Sequence, residues 1–238
     1  MSISILSLLG LGFVLGLKHA LDADHLAAVS TMATEKRSLL GSSLIGAWWG
    51  VGHTVSLVVA GSLVILLHLE IGERTSKALE FCVGLMLIAL GLNAFRKLHR
   101  AQTVHLHAHE HDGHWHVHPH IHEKRTHDAL HAHHGLRFGA RPLLVGAVHG
   151  MAGSAALTLL VLATIPSPLY GFIYIAIFGI GSIGGMTIMS TLFALPAKLT
   201  SQRYAKANFA LRTLAAVFSL SFGIFIVYDI GFVNHLFR

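Results

Sequence analysis

Long apolar segments constrain this chain more than any other feature of its sequence. About 20 apolar residues are enough to span a bilayer as a helix. Six such segments occur, at about Ser4–Met32, Leu39–Leu67, Ala78–Leu98, Pro142–Ile165, Leu169–Leu195 and Leu211–Phe232. Only 12% of the residues are Asp, Glu, Lys or Arg, about half of the usual share in a soluble domain. Because a helix satisfies its own backbone groups in lipid, the sequence predicts an all-α integral membrane protein with six transmembrane helices.

The basic residues predict the orientation of these helices. Most of the 17 Lys and Arg residues lie in the loops after the first, third and fifth segments, whereas the opposite side holds only Arg74, Lys77 and Arg238. Positive loops stay in the cytoplasm, so we expect a multi-pass protein of the plasma membrane with both termini outside. The basic residues are spread between apolar segments and form no single patch. The lipid bilayer is therefore the expected partner, and nucleic acid is not.

The two halves of the chain resemble each other. The stretch "GLKHALDADHL" begins at Gly16 and "GAVHGMAGSAA" begins at Gly146, while "WGVGHT" at Trp49 matches "FGIGSI" at Phe178. Three helices per half is an odd number, so the second copy would be inverted in the membrane. The sequence therefore predicts a 3+3 inverted repeat with interrupted first helices, an architecture found in transporters.

This organisation predicts three regions. Residues 1–98 form the first three-helix repeat, residues 99–141 form a His-rich cytoplasmic loop, and residues 142–238 form the second repeat. We expect the first helix to break at Gly16 and the polar residues that follow, and the second helix to break at Gly50–His53. In transporters of this type, interrupted helices mark the substrate site.

A polar cluster interrupts the first apolar segment. It consists of His19, Asp22, Asp24 and His25, and ionisable groups inside a membrane are functional by default because they are costly there. Imidazole and carboxylate together suit first-row divalent ions. On a regular helix, Asp24 would lie on the face opposite the other three unless the helix breaks. His53, preceded by glycines that permit close approach, is the candidate ligand from a second helix.

The second half carries a reduced version of this cluster. His149 occupies the place of His19, but Ala152 stands in place of Asp22 and Ser154 in place of Asp24. His149 and Ser154, with Ser182 from the "GIGSIGGM" run, are candidates for a second site or a gate. A hydrogen-bond donor at His149 and simple tight helix packing around Ser182 remain alternatives.

The loop between the third and fourth segments has a different composition. Residues 99–134 contain most of the 20 histidines, and we expect a low-complexity, irregular loop. Its candidate auxiliary metal-binding residues are His105, His107, His109, His111, His114, His116, His118, His120 and His122. The single cysteine, Cys82, lies in an apolar segment, where we expect it to be buried.

Two of these stretches resemble a known family. "HALDADHL" at His19–Leu26 is similar to the signature of the nickel/cobalt transporter (NiCoT) family, and "GHTVSLVV" at Gly52–Val59 is similar to its second motif. The whole chain most resembles the short, urease-associated nickel permease branch. The resemblance implies a secondary transporter that moves Ni²⁺, or Co²⁺, into the cytoplasm and holds no permanent cofactor. It implies a metal site at His19, Asp22, Asp24, His25 and His53.

The resemblance also implies partners and alternatives. The implied partners are a cytoplasmic nickel chaperone or urease-type maturation proteins. A sibling branch of nickel/cobalt efflux proteins also has a His-rich cytoplasmic loop, so export is the alternative direction. A membrane-embedded metal-dependent hydrolase or an acyltransferase is a further alternative, since His19 and Asp24 have an H-x₄-D spacing. The sequence has neither H-E-x-x-H nor a second acyltransferase motif, so we expect no enzyme.

Overall fold

The computed structural model describes residues 5–35, 38–67, 72–102, 105–111, 114–120, 134–152, 167–201, 204–234 and 236. Over these residues the chain is mainly a bundle of helices. In chain order they are α1 (Ile5–His19), α2 (Ala23–Thr34), α3 (Leu39–Leu67), α4 (Glu73–Gln102), α5 (His134–Gly150), α6 (Pro168–Ser201) and α7 (Ala205–Tyr228), and α7 continues into a π-helical turn, Asp229–Val233. Two short strands, β1 (His105–His111) and β2 (His114–His120), lie between α4 and α5.

Membrane-spanning length is reached by fewer helices than expected. In the described part of the chain, four helices are long and apolar enough to cross a bilayer, namely α3, α4, α6 and α7 with its π-helical turn. The first predicted segment is divided between the shorter α1 and α2. The fourth begins inside α5, which contains Pro142, and residues 153–166 lie outside the described residues. The structure therefore confirms a helical membrane protein, with four full-length spans among the residues that it describes.

Of the two predicted helix breaks, the first is confirmed at the polar cluster and the second is wrong. The first segment breaks at the polar cluster, because α1 ends at His19 and α2 begins at Ala23. Gly16 is helical, and α3 continues through Gly50–His53 without interruption. The α3 glycines serve packing instead: a Cβ added at Gly52 would collide with the backbone of Leu143 on α5. Close helix approach, and not unwinding, explains why glycine stands there.

Small and polar residues are frequent in the interior of the bundle, and the surface of the bundle is apolar. The buried positions of α2 are mostly alanine, serine and threonine. The serine and threonine hydroxyl groups donate hydrogen bonds to backbone carbonyls. Thr31 Oγ1, for example, donates to Ala215 O on α7 at 3.1 Å. Large apolar side chains such as Leu40 and Leu199 are exposed. A surface of this kind fits contact with lipid, where helices associate through small residues and polar contacts.

The helix contacts repeat between the two halves. Helix α1 packs against α6, and α5 packs against α3. At Gly16 the α1 backbone lies directly against Phe178 and Ser182, and at Gly146 the α5 backbone lies against Trp49 and His53 in the same way. The matched motifs "WGVGH" and "FGIGS" are thus each contacted by an equivalent glycine of the other half, Gly146 and Gly16. Each half therefore packs its first helix against the second helix of the other half, as an inverted repeat requires.

The third helices of the two halves show the same exchange. Gly91 on α4 lies against the backbone of Ala216 and Leu220, and Gly223 on α7 lies against Gly84 and Ile88. These two sets of contacts correspond residue for residue at one constant sequence offset. The pseudo-symmetry therefore extends beyond the motifs visible in the sequence, although the division at residues 98 and 141 stays a prediction.

Charged residues collect at the two ends of the bundle. At one end, Glu35 pairs with Lys97 and with Arg141. At the other end, Lys77 pairs with Glu73 and donates to Asn234 O at 3.2 Å. Lys77 and Lys97 lie on the same helix, α4, and a rise of 1.5 Å per residue separates them by about 30 Å. The two charged groups therefore mark opposite ends of the spanning region.

Two expectations about local structure are wrong. The His-rich loop is not wholly irregular, because β1 and β2 pair in antiparallel register, with His107 opposite His118 and His109 opposite His116. Alternation of histidine with β-branched or aromatic residues such as Val117 and Trp115 favours strand formation. His122 lies outside the described residues. Cys82 is exposed rather than buried.

The close approach at Gly16 generates a stability prediction. A Gly16→Ala substitution places a methyl group against the Phe178 carbonyl and should cost about 1–3 kcal/mol by overpacking. Gly10→Ala on the same helix meets nothing within 4 Å and should be neutral or slightly stabilising, since alanine favours helix. Thermal unfolding of the purified protein in detergent measures both variants. An equal effect of the two substitutions would contradict the packing described here.

Candidate metal site

The break between α1 and α2 positions the polar cluster. The chain turns after His19 through hydrogen bonds from Leu21 N to Lys18 O and from Asp22 N to His19 O. Asp22 then has extended backbone angles (φ −61°, ψ 145°) immediately before α2. The break changes the phase of α2 relative to α1, so the position of Asp24 relative to His19 no longer follows one continuous helix. Asp24 Oδ1 accepts from both the backbone N and the ring Nδ1 of His25, each at 2.9 Å.

Three histidines from three helices meet in the bundle interior. His19 ends α1, His25 lies in the first turn of α2, and His53 lies within α3. Their ring centroids are 4.4, 5.1 and 5.3 Å apart. His25 and His53 are fully buried and His19 nearly so. We call this group the His19 triplet, and its potential ligand atoms lie within 4.8 Å of one another.

A second triplet shares His25 with the first. Asp24 Oδ2 accepts from His149 Nε2 at 2.8 Å, and the rings of His25 and His149 are 4.0 Å apart. Asp24, His25 and His149 form the Asp24 triplet, with ligand atoms again within 4.8 Å. The Asp24 carboxylate therefore bridges histidines from α2 and α5.

Several buried ring nitrogens in this cluster lack a hydrogen-bond partner. They are His25 Nε2, both nitrogens of His53, and His149 Nδ1. Leaving a buried polar group unpaired costs about 1–3 kcal/mol, so native interiors rarely keep several together. When the rings are neutral, each ring offers one nitrogen with a lone pair, so His53 presents one such nitrogen and one N–H. A divalent cation is the kind of ligand that would satisfy these lone pairs.

The carboxylates explain which nitrogens are free to bind a metal. A carboxylate accepts hydrogen bonds, so the ring nitrogens that face Asp24, His25 Nδ1 and His149 Nε2, carry its donor protons. The opposite nitrogens then present lone pairs, as in metal sites where a carboxylate orients a ligating histidine. Asp22 does the same for His19, with an Nδ1–Oδ2 distance of 2.8 Å.

The structure separates the residues that the sequence grouped. His19, Asp24, His25 and His53 meet in the two triplets. Asp22 contacts His19 but belongs to neither triplet, and its side chain is 46% exposed. Ser182 is buried with an unpaired Oγ beside Gly16 and is also outside both triplets. Ser154 lies outside the described residues.

Two aromatic residues at the site were missed from the sequence. The indole of Trp49 stacks on His25 at 5.4 Å with an interplanar angle of 29°, and Phe178 lies 5.5 Å from His19. These are the matched first residues of "WGVGH" and "FGIGS", so the repeat itself carried the signal. The two rings contact the histidines from equivalent positions in the two halves of the pseudo-symmetric bundle.

The apolar surface and spanning helices define the class of this chain, a multi-pass helical membrane protein. Comparison with known proteins gives relatives of the same kind. The chain is 36% identical to the urease accessory protein UreH of Bacillus sp. (strain TB-90) over 239 residues, covering 99% of this chain and 97% of UreH. The chain therefore belongs to the nickel/cobalt transporter family, in the short branch that includes UreH.

Other relatives are more distant. The chloroplast protein FOR GROWTH AND FERTILITY 1 of Arabidopsis thaliana is 25% identical over 91% of this chain and 57% of its own length. The high-affinity nickel transport protein of Cupriavidus necator is 39% identical over 66 residues, or 27% of this chain and 18% of its own length. No family model and no solved structure matches. UreH is an accessory protein and the Cupriavidus protein a transport protein by name, so the chain is not assigned to an enzyme class.

The unpaired ring nitrogens predict stabilisation by metal ions. Ni²⁺ at about 100 times its dissociation constant should stabilise the folded protein by about 2.7 kcal/mol, or roughly 5–10 °C in Tm. His53→Ala should abolish this shift, because it removes a ring with two unpaired nitrogens. His99→Ala, at an exposed position near the end of α4, should keep it. Thermal unfolding in detergent measures all three proteins, and an equal shift from Mg²⁺ would contradict a nitrogen-based site.

Proposed function

We propose that the protein is a secondary permease that carries Ni²⁺, with Co²⁺ as a second substrate, into the cytoplasm. The observation that carries this proposal is the convergence of four buried histidines and one carboxylate, with several unpaired ring nitrogens, inside a membrane-spanning bundle. Similarity to UreH over nearly the whole chain and to a nickel transport protein over part of it supports nickel as the substrate.

The donor set supports the choice of ion. Imidazole nitrogens favour borderline ions such as Ni²⁺ and Co²⁺, whereas Mg²⁺ and Ca²⁺ prefer shells made of oxygen. An ion that enters the bundle loses water, and a carboxylate must offset part of the cost of burying its charge. Asp24 is the carboxylate in contact with two of the four histidines, so it fills this role.

The overlap of the two triplets suggests how the ion moves. Because His25 belongs to both groups, an ion can shift between them without losing every protein ligand. In the Asp24 triplet the carboxylate would itself become a ligand, which requires it to release at least one of its hydrogen bonds to His25 and His149. In the His19 triplet, Asp24 instead orients His25 from outside the coordination shell. Exchange of one ligand at a time keeps the barrier lower than full release would, and we propose this hand-over as the central transport step.

The proposed orientation places the termini outside and the His-rich loop in the cytoplasm. Glu35 contacts Lys97 and Arg141 at one end of the bundle. This concentration of basic residues at one end supports the proposed orientation. The loop histidines, His105 to His122, are then proposed to hold ions released inside. From there, a nickel chaperone or a urease-type maturation protein would receive them.

Cellular metal content tests the function and its direction. Cells that express the protein should accumulate more nickel than control cells when supplied with Ni²⁺ at low concentration. His25→Ala should lose at least about 90% of this increase, because His25 serves both triplets, whereas His99→Ala should retain it. Elemental analysis of washed cells, with membrane expression verified, gives the readout. Lower nickel in expressing cells would identify an exporter, and no change at all would refute nickel transport.

Removal of the His-rich loop tests its auxiliary role. Deleting residues 103–133 and joining the ends with a short Gly/Ser linker should leave the initial rate of uptake within about twofold at saturating Ni²⁺, because no residue of either triplet is removed. The expected change is in the amount of nickel retained after uptake. Radiolabelled nickel uptake over the first seconds separates the two effects. Loss of the initial rate despite normal membrane expression would place the loop in the permeation step itself.

A further inference from the structure

A cavity connects the proposed metal site with one end of the bundle. It has a volume of about 480 Å³ and lies between the start of α2, the first turns of α4, and the end of α7 with its π-helical turn. Its wall includes Asp24, a member of the Asp24 triplet. The Asp24 side chain is 25% exposed, whereas His25 and His149, which it contacts, are fully buried.

The break after α1 and the end of α5 both reach the cavity. Ala23 and Asp24 come directly after the break between α1 and α2, and Ala152 comes two residues after the end of α5. Ala152 N donates to His149 O at 3.1 Å, as Asp22 N does to His19 O. In a membrane, irregular backbone is tolerated where it lines a cavity. The cavity floor is therefore formed by the start of α2 and the residues that follow α5.

The wall of the cavity carries excess negative charge. Glu73 is paired with Lys77 at 2.6 Å, so these two charges largely cancel. Glu80 and Asp229 also line the cavity, and among the described residues neither has a basic partner. Glu80 lies 3.5 Å from Ser76 Oγ, and Asp229 Oδ2 accepts from Asn234 Nδ2 at 2.9 Å.

The rest of the cavity wall is apolar, which strengthens the attraction of these charges for cations. Val83, Phe222, Phe225 and Ile226 line the same cavity and give it a low dielectric boundary. A cleft of one charge sign with apolar walls concentrates counter-ions and raises their rate of association. Asp24 at its end is bonded to His25 and His149, whose other ring nitrogens are buried and unpaired. A cation drawn into the cavity thus passes Lys77, whose charge is largely offset by Glu73, and then meets the Asp24 carboxylate and the imidazoles.

We propose that this cavity is the vestibule through which divalent cations reach the metal site, and that Glu80 and Asp229 attract them toward Asp24. The inference rests on the proposed function, because it names the route to the site of that function. The vestibule opens at the end of the bundle marked by Lys77 and Asn234, which the proposed orientation places outside the cell. Ions therefore enter between α4 and α7 and not along α1.

Transport kinetics test the two acidic residues. The Glu80→Gln and Asp229→Asn double variant should raise the KM for Ni²⁺ uptake about threefold to tenfold at low ionic strength, while the maximal rate stays within twofold. Steering by charge is screened by salt, so the difference should shrink at high ionic strength. The matched controls, Glu80→Asp and Asp229→Glu, keep the charges and should keep the KM. An unchanged KM in the double variant, or an equal loss in the charge-conserving controls, would overturn the proposal.

Thiol accessibility tests the route without measuring transport. In a Cys82→Ser background, Ala152→Cys places a thiol on the cavity floor, and Leu85→Cys places one at an exposed apolar position of α4 outside the cavity. A membrane-impermeant cationic thiosulfonate added from outside should modify Ala152→Cys and not Leu85→Cys. Saturating Ni²⁺ should slow the modification at least about threefold, because the ion occupies the adjacent Asp24.

The outcomes separate the two proposals. Modification of Ala152→Cys only from the cytoplasmic side, with normal nickel uptake, would refute the outer vestibule and leave the permease intact. Outside modification that Ni²⁺ slows, in cells without nickel uptake, would refute the transport proposal and leave the cation vestibule standing. Absence of modification from either side would overturn the vestibule.

Discussion

The arrangement of the histidines inside this protein depends on the hydrogen bonds of the Asp24 carboxylate. This carboxylate holds His25 on α2 and His149 on α5 at hydrogen-bonding distance, and so joins the two halves of the chain. The N-terminal end of α2 adds partial positive charge that favours a carboxylate at this position. Removing the carboxylate would leave buried ring nitrogens of His25 and His149 without a partner, and each such group costs about 1–3 kcal/mol. The same carboxylate fixes which nitrogens of both rings remain available, so it links stability with the chemistry of the site.

These contacts of Asp24 are possible only because the helices approach closely around them. Gly146 places the α5 backbone directly on Trp49 and His53 of α3, which brings His149 to the cluster. Gly16 makes the equivalent contact with Phe178 and Ser182 on α6. Helices in lipid associate through packing and polar contacts rather than through hydrophobic burial. The glycines therefore hold the helices together by close backbone contact, and they leave room for histidines inside.

The surroundings of α2 fit a carrier whose site reaches one side at a time. Asp24, at its beginning, lines the larger cavity. A second cavity of about 240 Å³ lies beside Thr31, Thr34 and Glu35 at its other end, and no member of either triplet lines it. Between the two, α2 is buried on Ala27 and Ala28 and closes the interior.

The sequence by itself determined the membrane class, indicated the repeat and named most residues of the candidate site. Apolar length requires helices in lipid, and costly polar residues such as His19 and His25 stand out against that background. The tertiary structure decided the rest. It selected Asp24 over Asp22 as the interior carboxylate, joined His149 to it, and kept α3 continuous through His53. Helical periodicity assumes an unbroken helix, and the break before α2 resets its phase. The contact between Asp24 and His149 joins residues far apart in the chain, and no local pattern encodes it, because it depends on how closely glycine lets α5 approach α3.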